Sequence, residues 1–284
     1  MKYKTIGVIG AGVIGVGVAQ SLAQTGHRVI LVDIDDDILA RARNEIKNNL
    51  KFAALFDKVI RADDHARILA NIEYTQDYSR LSETNFVVEN STEKWSVKEA
   101  VYPRLHEVCP PACIFAANTS AIPITRLAAL TGRPDKVLGM HFMNPVPQIG
   151  VVEVIRSEHS SVETIQAAGD FLQQLGKRAI VVNDVPGFVS NRVLMLTINE
   201  AVLLVQHDVA GAGDIDEIFV KCFGHKMGPL ATADLIGLDT VLLTLEVLYE
   251  CYNDDKYHPS PLLKEMVAAG LHGRKSGKGF FEYS

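Results

Sequence analysis

Cysteine, tryptophan and excess positive charge are all scarce in this sequence, and each shortage excludes something. Four cysteines are spread over 284 residues. Cys109 and Cys113 flank a Pro-Pro pair, and Cys222 and Cys251 stand apart with no Cys/His pair at ligand spacing. Neither a metal site nor a disulfide framework is expected, and the four read as reduced thiols. The formal net charge of -6 excludes the basic footprint that a nucleic acid needs. No apolar run reaches membrane-spanning length, so no membrane partner is expected. Met1 leads directly into a glycine-rich strand and turn, without the regions of a signal peptide. The expected location is cytoplasmic. Internal repeats and low-complexity tracts are missing as well. What remains, 48% hydrophobic and 22% charged, is an ordinary globular composition on a chain long enough for two domains.

The first two-thirds alternate short apolar runs with longer amphipathic stretches. Expected strands are Thr5–Ile9, Arg28–Val32, Phe86–Glu89, Cys113–Ala117, Val137–His141, Val151–Ile155 and Arg178–Val182. Most are rich in Val and Ile and bounded by Gly, Pro, Asn or Asp, the pattern of buried strands in a mostly parallel sheet. Expected helices between them are Ile14–Thr25, Asp37–Phe56, Val97–Val108 and Val162–Leu175, with Pro103 kinking the third or delaying its start. Asn183-Asp184-Val185-Pro186-Gly187 is a breaker cluster. Beyond it the runs are helical: Val189–His207, Asp214–Phe223, Ile236–Tyr249 and Pro261–Ala269. The boundary therefore falls near residue 184, between an α/β domain (1–184) and an all-α domain (185–284). The first helix of the second domain is apolar around most of its circumference (Val193, Leu194, Leu196, Ile198, Val202, Leu203, Val205), which points to a domain core or a subunit interface.

Gly10-Ala11-Gly12-Val13-Ile14-Gly15 joins the first strand to the first helix, and a second strand returns at Arg28–Val32. A lone G-x-G-x-x-G is a weak signal, but within a full βαβ unit it marks a dinucleotide site in a Rossmann-type, doubly wound sheet. Gly10 permits the tight turn, Gly12 lets the backbone approach a pyrophosphate, and Gly15 lets helix and strand pack closely. The helix start at Val13 and Ile14 offers free N–H groups and a positive dipole end to the phosphates. Asp33, ending the second strand, is placed to accept hydrogen bonds from adenine-ribose hydroxyls. Its charge, with Asp35, Asp36 and Asp37, would repel a 2′-phosphate, so NAD is favoured over NADP. The alternative is a glycine turn that binds nothing.

Two ionisable residues sit where strands should be apolar. His141 ends Val137-Leu138-Gly139-Met140, and Glu153 interrupts Val151-Val152 and Val154-Ile155. A carboxylate buried in a strand is costly unless paired. A histidine ending a neighbouring strand is the natural partner, and the carboxylate would fix the ring's tautomer for general acid/base work. The competing reading is a structural His–Glu pair in the core.

Several segments together resemble the 3-hydroxyacyl-CoA dehydrogenases. They are Asn118-Thr119-Ser120, His141-Phe142-Met143-Asn144-Pro145-Val146-Pro147 and Val152-Glu153-Val154, then Pro186-Gly187-Phe188-Val189-Ser190-Asn191-Arg192, Asn199-Glu200-Ala201, Met227-Gly228-Pro229-Leu230, Asp234–Asp239 and Gly273–Phe280. The resemblance covers essentially the whole chain. It implies a catalytic dyad of His141 and Glu153, with Ser120 and Asn191 as polar residues near the reacting oxygen. It also implies Glu93, Lys98 and Asn118 on the cofactor side. For Asn191 a simple helix N-terminal contact is the alternative.

The sequence departs from the family at Phe142-Met143, where Phe-Phe is commoner, and in Glu89-Asn90-Ser91-Thr92-Glu93-Lys94-Trp95, where a plainer apolar and acidic stretch is usual. Trp95, the single tryptophan, reads either as part of the cleft or as a packing anchor. Lys51–Arg61, where the family places basic residues for the CoA phosphates, offers only Lys51, Lys58 and Arg61. Three functions follow. The first is NAD-dependent interconversion of 3-hydroxyacyl and 3-oxoacyl thioesters, most simply a short-chain 3-hydroxybutyryl-CoA dehydrogenase. The second is the same chemistry on an acyl-carrier-protein-bound group in polyketide extender-unit biosynthesis. The third is a non-catalytic NAD-binding relative. The substrate is expected in a cleft between the domains, and a homodimer through the helical domain.

Overall fold

The computed structural model describes residues 3–56, 62–120 and 122–283. Contacts divide the chain into two compact units, Met1–Val185 and Pro186–Ser284. Among the described residues no helix is long and apolar enough to cross a membrane.

The first unit is built on one eight-stranded sheet. Its strands are β1 (Thr5–Ile9), β2 (Arg28–Val32), β3 (Ile72–Thr75), β4 (Phe86–Glu89), β5 (Ile114–Ala117), β6 (Val137–His141), β7 (Val151–Arg156) and β8 (Arg178–Asn183). Their spatial order is β3-β2-β1-β4-β5-β6-β7-β8. All pairings are parallel except β6 with β7, which is antiparallel. Helices α1 (Val13–Gln24), α2 (Asp36–Phe56), α3 (Ala62–Ala70), α4 (Trp95–Val108), α5 (Ile124–Ala128) and α6 (Val162–Gln174) connect them. Central strands read as unbroken apolar runs because both faces are covered, and Val29 to Val32 and Phe86 to Val88 are fully inaccessible. One core cluster joins Ile6, Val8, Val18, Leu22, Leu31, Ile46, Phe86 and Phe171, with Phe86 and Phe171 stacked at 4.2 Å between ring centroids.

The strand order changes direction at β1, since β2 lies on one side of it and β4 on the other. Loops from β1 and β4 therefore leave the same carboxyl rim in opposite directions and open a crevice between them, the usual ligand position in such sheets.

The second unit is helical: α7 (Ser190–Gln206), α8 (Ala212–Phe223), α9 (Pro229–Ile236), α10 (Leu238–Tyr252) and α11 (Pro261–Ala268). Its core gathers Ile198, Val202, Leu230, Val241, Leu245, Leu248 and Tyr257. Asp234, at the end of α9, is fully buried and accepts from the Phe280 and Phe281 N–H groups and the Tyr283 hydroxyl, clasping the final segment against the helices.

Several elements differ from expectation. Helix α4 starts two residues before the expected Val97, and Pro103 lies inside it rather than delaying it. The helix expected over Ile236–Tyr249 begins instead at Leu238, because Gly237, with a φ of 102°, separates it from α9. Strand β5 begins at Ile114, one residue after Cys113. Four short elements, β3, α3, α5 and α9, were not expected.

Candidate active site

The glycine turn carries a conformation and a packing that side chains would prevent. Gly10 has φ 86°, and a Cβ there would lie 2.6 Å from the Asn90 carbonyl oxygen; at Gly15 it would lie 1.8 Å from the Gly10 carbonyl oxygen. Gly12 differs, because a Cβ there would meet nothing within 4 Å. Its neighbourhood is open space above the start of α1, whose N-terminus has no side-chain cap. Free N–H groups, the positive helix end and an open approach fit a pyrophosphate. Asp33 anchors this turn: its Oδ2 accepts from Ala11 N–H and its Oδ1 from Ile34 N–H, both at 2.7 Å.

From there a cleft runs along the rim. It is lined by Gly12, Val13 and Ile14 at one end, and by Asn118, Ser120, His141 and the Phe142-Met143-Asn144 loop at the other, with Asn90, Ser91 and Glu93 between. The antiparallel register sets His141 directly opposite Glu153. His141 Nδ1 lies 3.1 Å from Glu153 Oε2, and the residues are 6% and 9% exposed. An ionised carboxylate can only accept, so Nδ1 carries the proton and the neutral ring presents its Nε2 lone pair. That nitrogen faces Ser120 Oγ at 3.4 Å.

Glu93 Oε1 gathers the turn that carries Ser120, accepting from the Thr119 hydroxyl and from the N–H groups of Ser120 and Ile122. Asn118 Oδ1 accepts from Phe142 N–H at 3.1 Å, tying β5 to the loop after β6. That loop is fixed from behind by Lys177, buried between α6 and β8, whose Nζ donates to the carbonyls of Val146 (2.6 Å) and Ile149 (2.7 Å). Burial pushes the Lys177 ammonium below its ordinary range.

Most of the residues singled out in the sequence meet at this cleft. Lys98 does not line it. Its side chain is completely buried beneath the floor, where Nζ pairs with Glu89 Oε2 at 2.7 Å and donates to the Asn118 carbonyl. A long cation that a ligand could touch needs an exposed tip, and this one is enclosed by α4 and β4. Asn191 belongs to the second unit, as the second residue of α7. Trp95 opens α4, with the Arg126 guanidinium 3.9 Å from its ring centroid, a stacked packing contact. Lys51 is an exposed residue of α2, whereas Lys58 and Arg61 lie outside the described residues. Sequence reasoning missed Asn90, Ser91, Thr119 and Lys177. The polar Asn-Ser pair directly after an apolar strand was the available signal for the first two; nothing local marks Lys177.

Comparison with known proteins decides the family. Residues 5–185 match the 3-hydroxyacyl-CoA dehydrogenase NAD binding domain, and residues 187–283 match the C-terminal domain of the same enzymes. The chain belongs to the 3-hydroxyacyl-CoA dehydrogenase family. A probable 3-hydroxybutyryl-CoA dehydrogenase of Deinococcus radiodurans is 45% identical over the full length of both chains. The 3-hydroxybutyryl-CoA dehydrogenase of Bradyrhizobium diazoefficiens is 40% identical, covering 99% of this chain and 95% of the relative. The crystal structure of (S)-3-hydroxybutyryl-CoA dehydrogenase from Ralstonia eutropha superposes with a TM-score of 0.94 at 41% identity, covering 99% of each chain. This dehydrogenase is accordingly an NAD-dependent oxidoreductase, and the open turn at Gly12 fits that cofactor.

Proposed function

We propose that this enzyme interconverts short-chain 3-hydroxyacyl-CoA and 3-oxoacyl-CoA thioesters, with His141 and Glu153 as the acid/base dyad. The observation that carries the reading is the His141–Glu153 pair, buried on one side and open to the cleft through Nε2 on the other. When bound, NAD supplies the nicotinamide that takes up hydride from C3. His141 Nε2 takes the proton of the 3-hydroxyl during oxidation and returns it during reduction. Glu153 keeps the proton on Nδ1 and stabilises the imidazolium. Ser120 Oγ, near His141 Nε2, orients the reacting oxygen. Asn191 is assigned a polar role toward the substrate by the family pattern alone.

The 3-hydroxybutyryl preference follows the names of the relatives at 40–45% identity. The carrier-protein reading rested on Trp95 and a thin basic stretch; the Arg126 stack now gives Trp95 a packing role, which leaves CoA as the favoured carrier. Asp33 with its acidic neighbours supports NAD over NADP. Val189 just before α7 and Val193 on it are 56% and 61% exposed, and Phe223 on α8 is 66% exposed. Such an apolar surface on the helical unit supports a homodimer.

The test is turnover of 3-hydroxybutyryl-CoA, of longer acyl-CoAs and of the same acyl group on a carrier protein, each with NAD and with NADP, followed at the nicotinamide absorbance. The expected result is highest kcat/KM for the short acyl-CoA with NAD. Turnover of none of these thioesters would overturn the reading.

A further inference from the structure

The two edges of the sheet are finished differently. Strand β3 closes one edge in four residues, and its Glu73 carboxylate accepts from the guanidiniums of Arg28 and Arg80. A short edge carrying charge resists pairing with another strand. Strand β8 closes the other edge in six residues, Arg178–Asn183, with no proline and no charge after Arg178. Its central Ile180 and Val181 are exposed, and exposed Val162 at the start of α6 lines the groove beside Val181. An edge strand that is long, apolar and open is a template for a further strand.

The backbone dictates which residues can pair. At the two ends of β8, Arg178 N–H donates to the Gly150 carbonyl at 2.8 Å and Asp184 N–H to the Arg156 carbonyl at 3.1 Å. Backbone groups alternate sides along a strand, so those of Arg178, Ile180, Val182 and Asp184 face β7 and those of Ala179, Val181 and Asn183 face outward. A second β8 laid antiparallel, with a two-fold axis at Val181, sets Val181 opposite its own copy and Ala179 opposite Asn183. Every outward N–H and C=O of the strand is then paired. The same register sets Ile180 opposite Val182 and Arg178 opposite Asp184, an apolar pair and an ion pair, each formed twice. Asp184 is already fixed by the N–H groups of Ile124 and Thr125, so only the Arg178 side chain has to be ordered. An axis at Ile180 would set Arg178 opposite Val182, and an axis at Val182 would set Asp184 opposite Ile180, a charge against an apolar side chain in either case. We propose that β8 is a self-association edge, pairing antiparallel with β8 of a second copy of this chain about an axis at Val181. This contact is separate from the homodimer through the helical unit and does not rest on the catalytic reading.

The experiment combines sedimentation velocity over a concentration series with cysteine cross-linking, both on the full chain. Val181→Pro removes an outward N–H and leaves the β7 pairing intact, as an edge strand tolerates. The wild type is expected to reach twice the mass of this variant, whichever contact the helical unit makes. Arg178→Asp sets like charges opposite each other at Asp184 and is expected to raise the dissociation midpoint at least about threefold, with the fold retained by circular dichroism. For cross-linking, the exposed Cys222 and Cys251 are first replaced by serine. Val181→Cys is then expected to form an intermolecular disulfide under mild oxidation, because residues opposed in this way have Cα atoms about 5.5 Å apart. Ile180→Cys is not, because its two copies would lie about 8 Å apart, beyond disulfide reach. Equal masses for the wild type and both variants overturn the proposal. So does cross-linking of Ile180→Cys instead of Val181→Cys, or of neither, which is also the outcome if the edge takes a strand of a different protein.

Discussion

His141 and Glu153 are register partners across the antiparallel β6–β7 pairing, with Nδ1 and Oε2 3.1 Å apart. Strand pairing therefore positions the dyad, and two substitutions test it. His141→Gln should lower kcat by at least about 10²-fold while leaving NAD affinity nearly unchanged, the usual share of a general base. Glu153→Gln should also lower kcat and should change the pH–rate profile, because a neutral amide can donate to Nδ1 and favour the wrong tautomer. Wild-type kcat in the His141 variant would remove the dyad from the reaction.

Gly12 and Gly15 predict opposite failures. Gly12→Ala places a methyl in open space, so the melting temperature should hold while NAD affinity falls by at least about tenfold, the methyl standing where the backbone must approach the pyrophosphate. Gly15→Ala drives a methyl into the Gly10 carbonyl and should lower the melting temperature itself. Thermal melts and NAD titrations of both variants separate the two roles; equal behaviour would contradict them.

The Lys98–Glu89 pair is wholly buried, so solvent screens it little. Lys98→Met leaves a carboxylate without its cation and is expected to destabilise by about 3–5 kcal/mol, a melting shift of about 6–20 °C downward. Calorimetric melting checks this, and an unchanged transition would show that the pair is dispensable.

The buried His27 predicts a pH dependence with a definite sign. Burial holds its pKa below the ordinary value of 6.5, so the folded protein keeps the ring neutral while the unfolded chain protonates it more readily. The stability it contributes is fully present above pH 6.5 and is lost as pH falls from there through the lowered folded value. His27→Leu should flatten the acid limb of a melting-temperature profile below that point. An identical acid limb in the variant would shift the cause to other groups.

Much of this was legible in the sequence because the central strands are buried on both faces and must be written in Val, Ile and Phe. Six of the seven expected strands begin at the expected residue, and His141 and Glu153 stood out because one ends and the other interrupts such a run. Legibility failed where burial is partial. Strand β3, Ile-Glu-Tyr-Thr at a sheet edge, keeps three of its four residues half-exposed and is too short for its alternation to stand out. Helix α9 was hidden by Gly228-Pro229, which reads as a turn although proline is at home in a first helical turn. For Lys98 the sequence left the direction of the side chain open. A family motif gives a residue's position along the chain but not the direction of its side chain, and i to i+4 spacing on α4 sends both Lys98 and Tyr102 inward to Glu89.

The reversal of β7 has one more consequence, which concerns how the site is encoded. Because β6 and β7 run in opposite directions, a single short loop joins them, and the His141–Glu153 pair is encoded within Val137–Arg156. The nucleotide turn and its anchoring aspartate are encoded separately, within the first 33 residues. Between His141 and β7 the chain contributes Phe142, Met143 and Asn144 to the cleft, so the two separately encoded segments meet across one short loop.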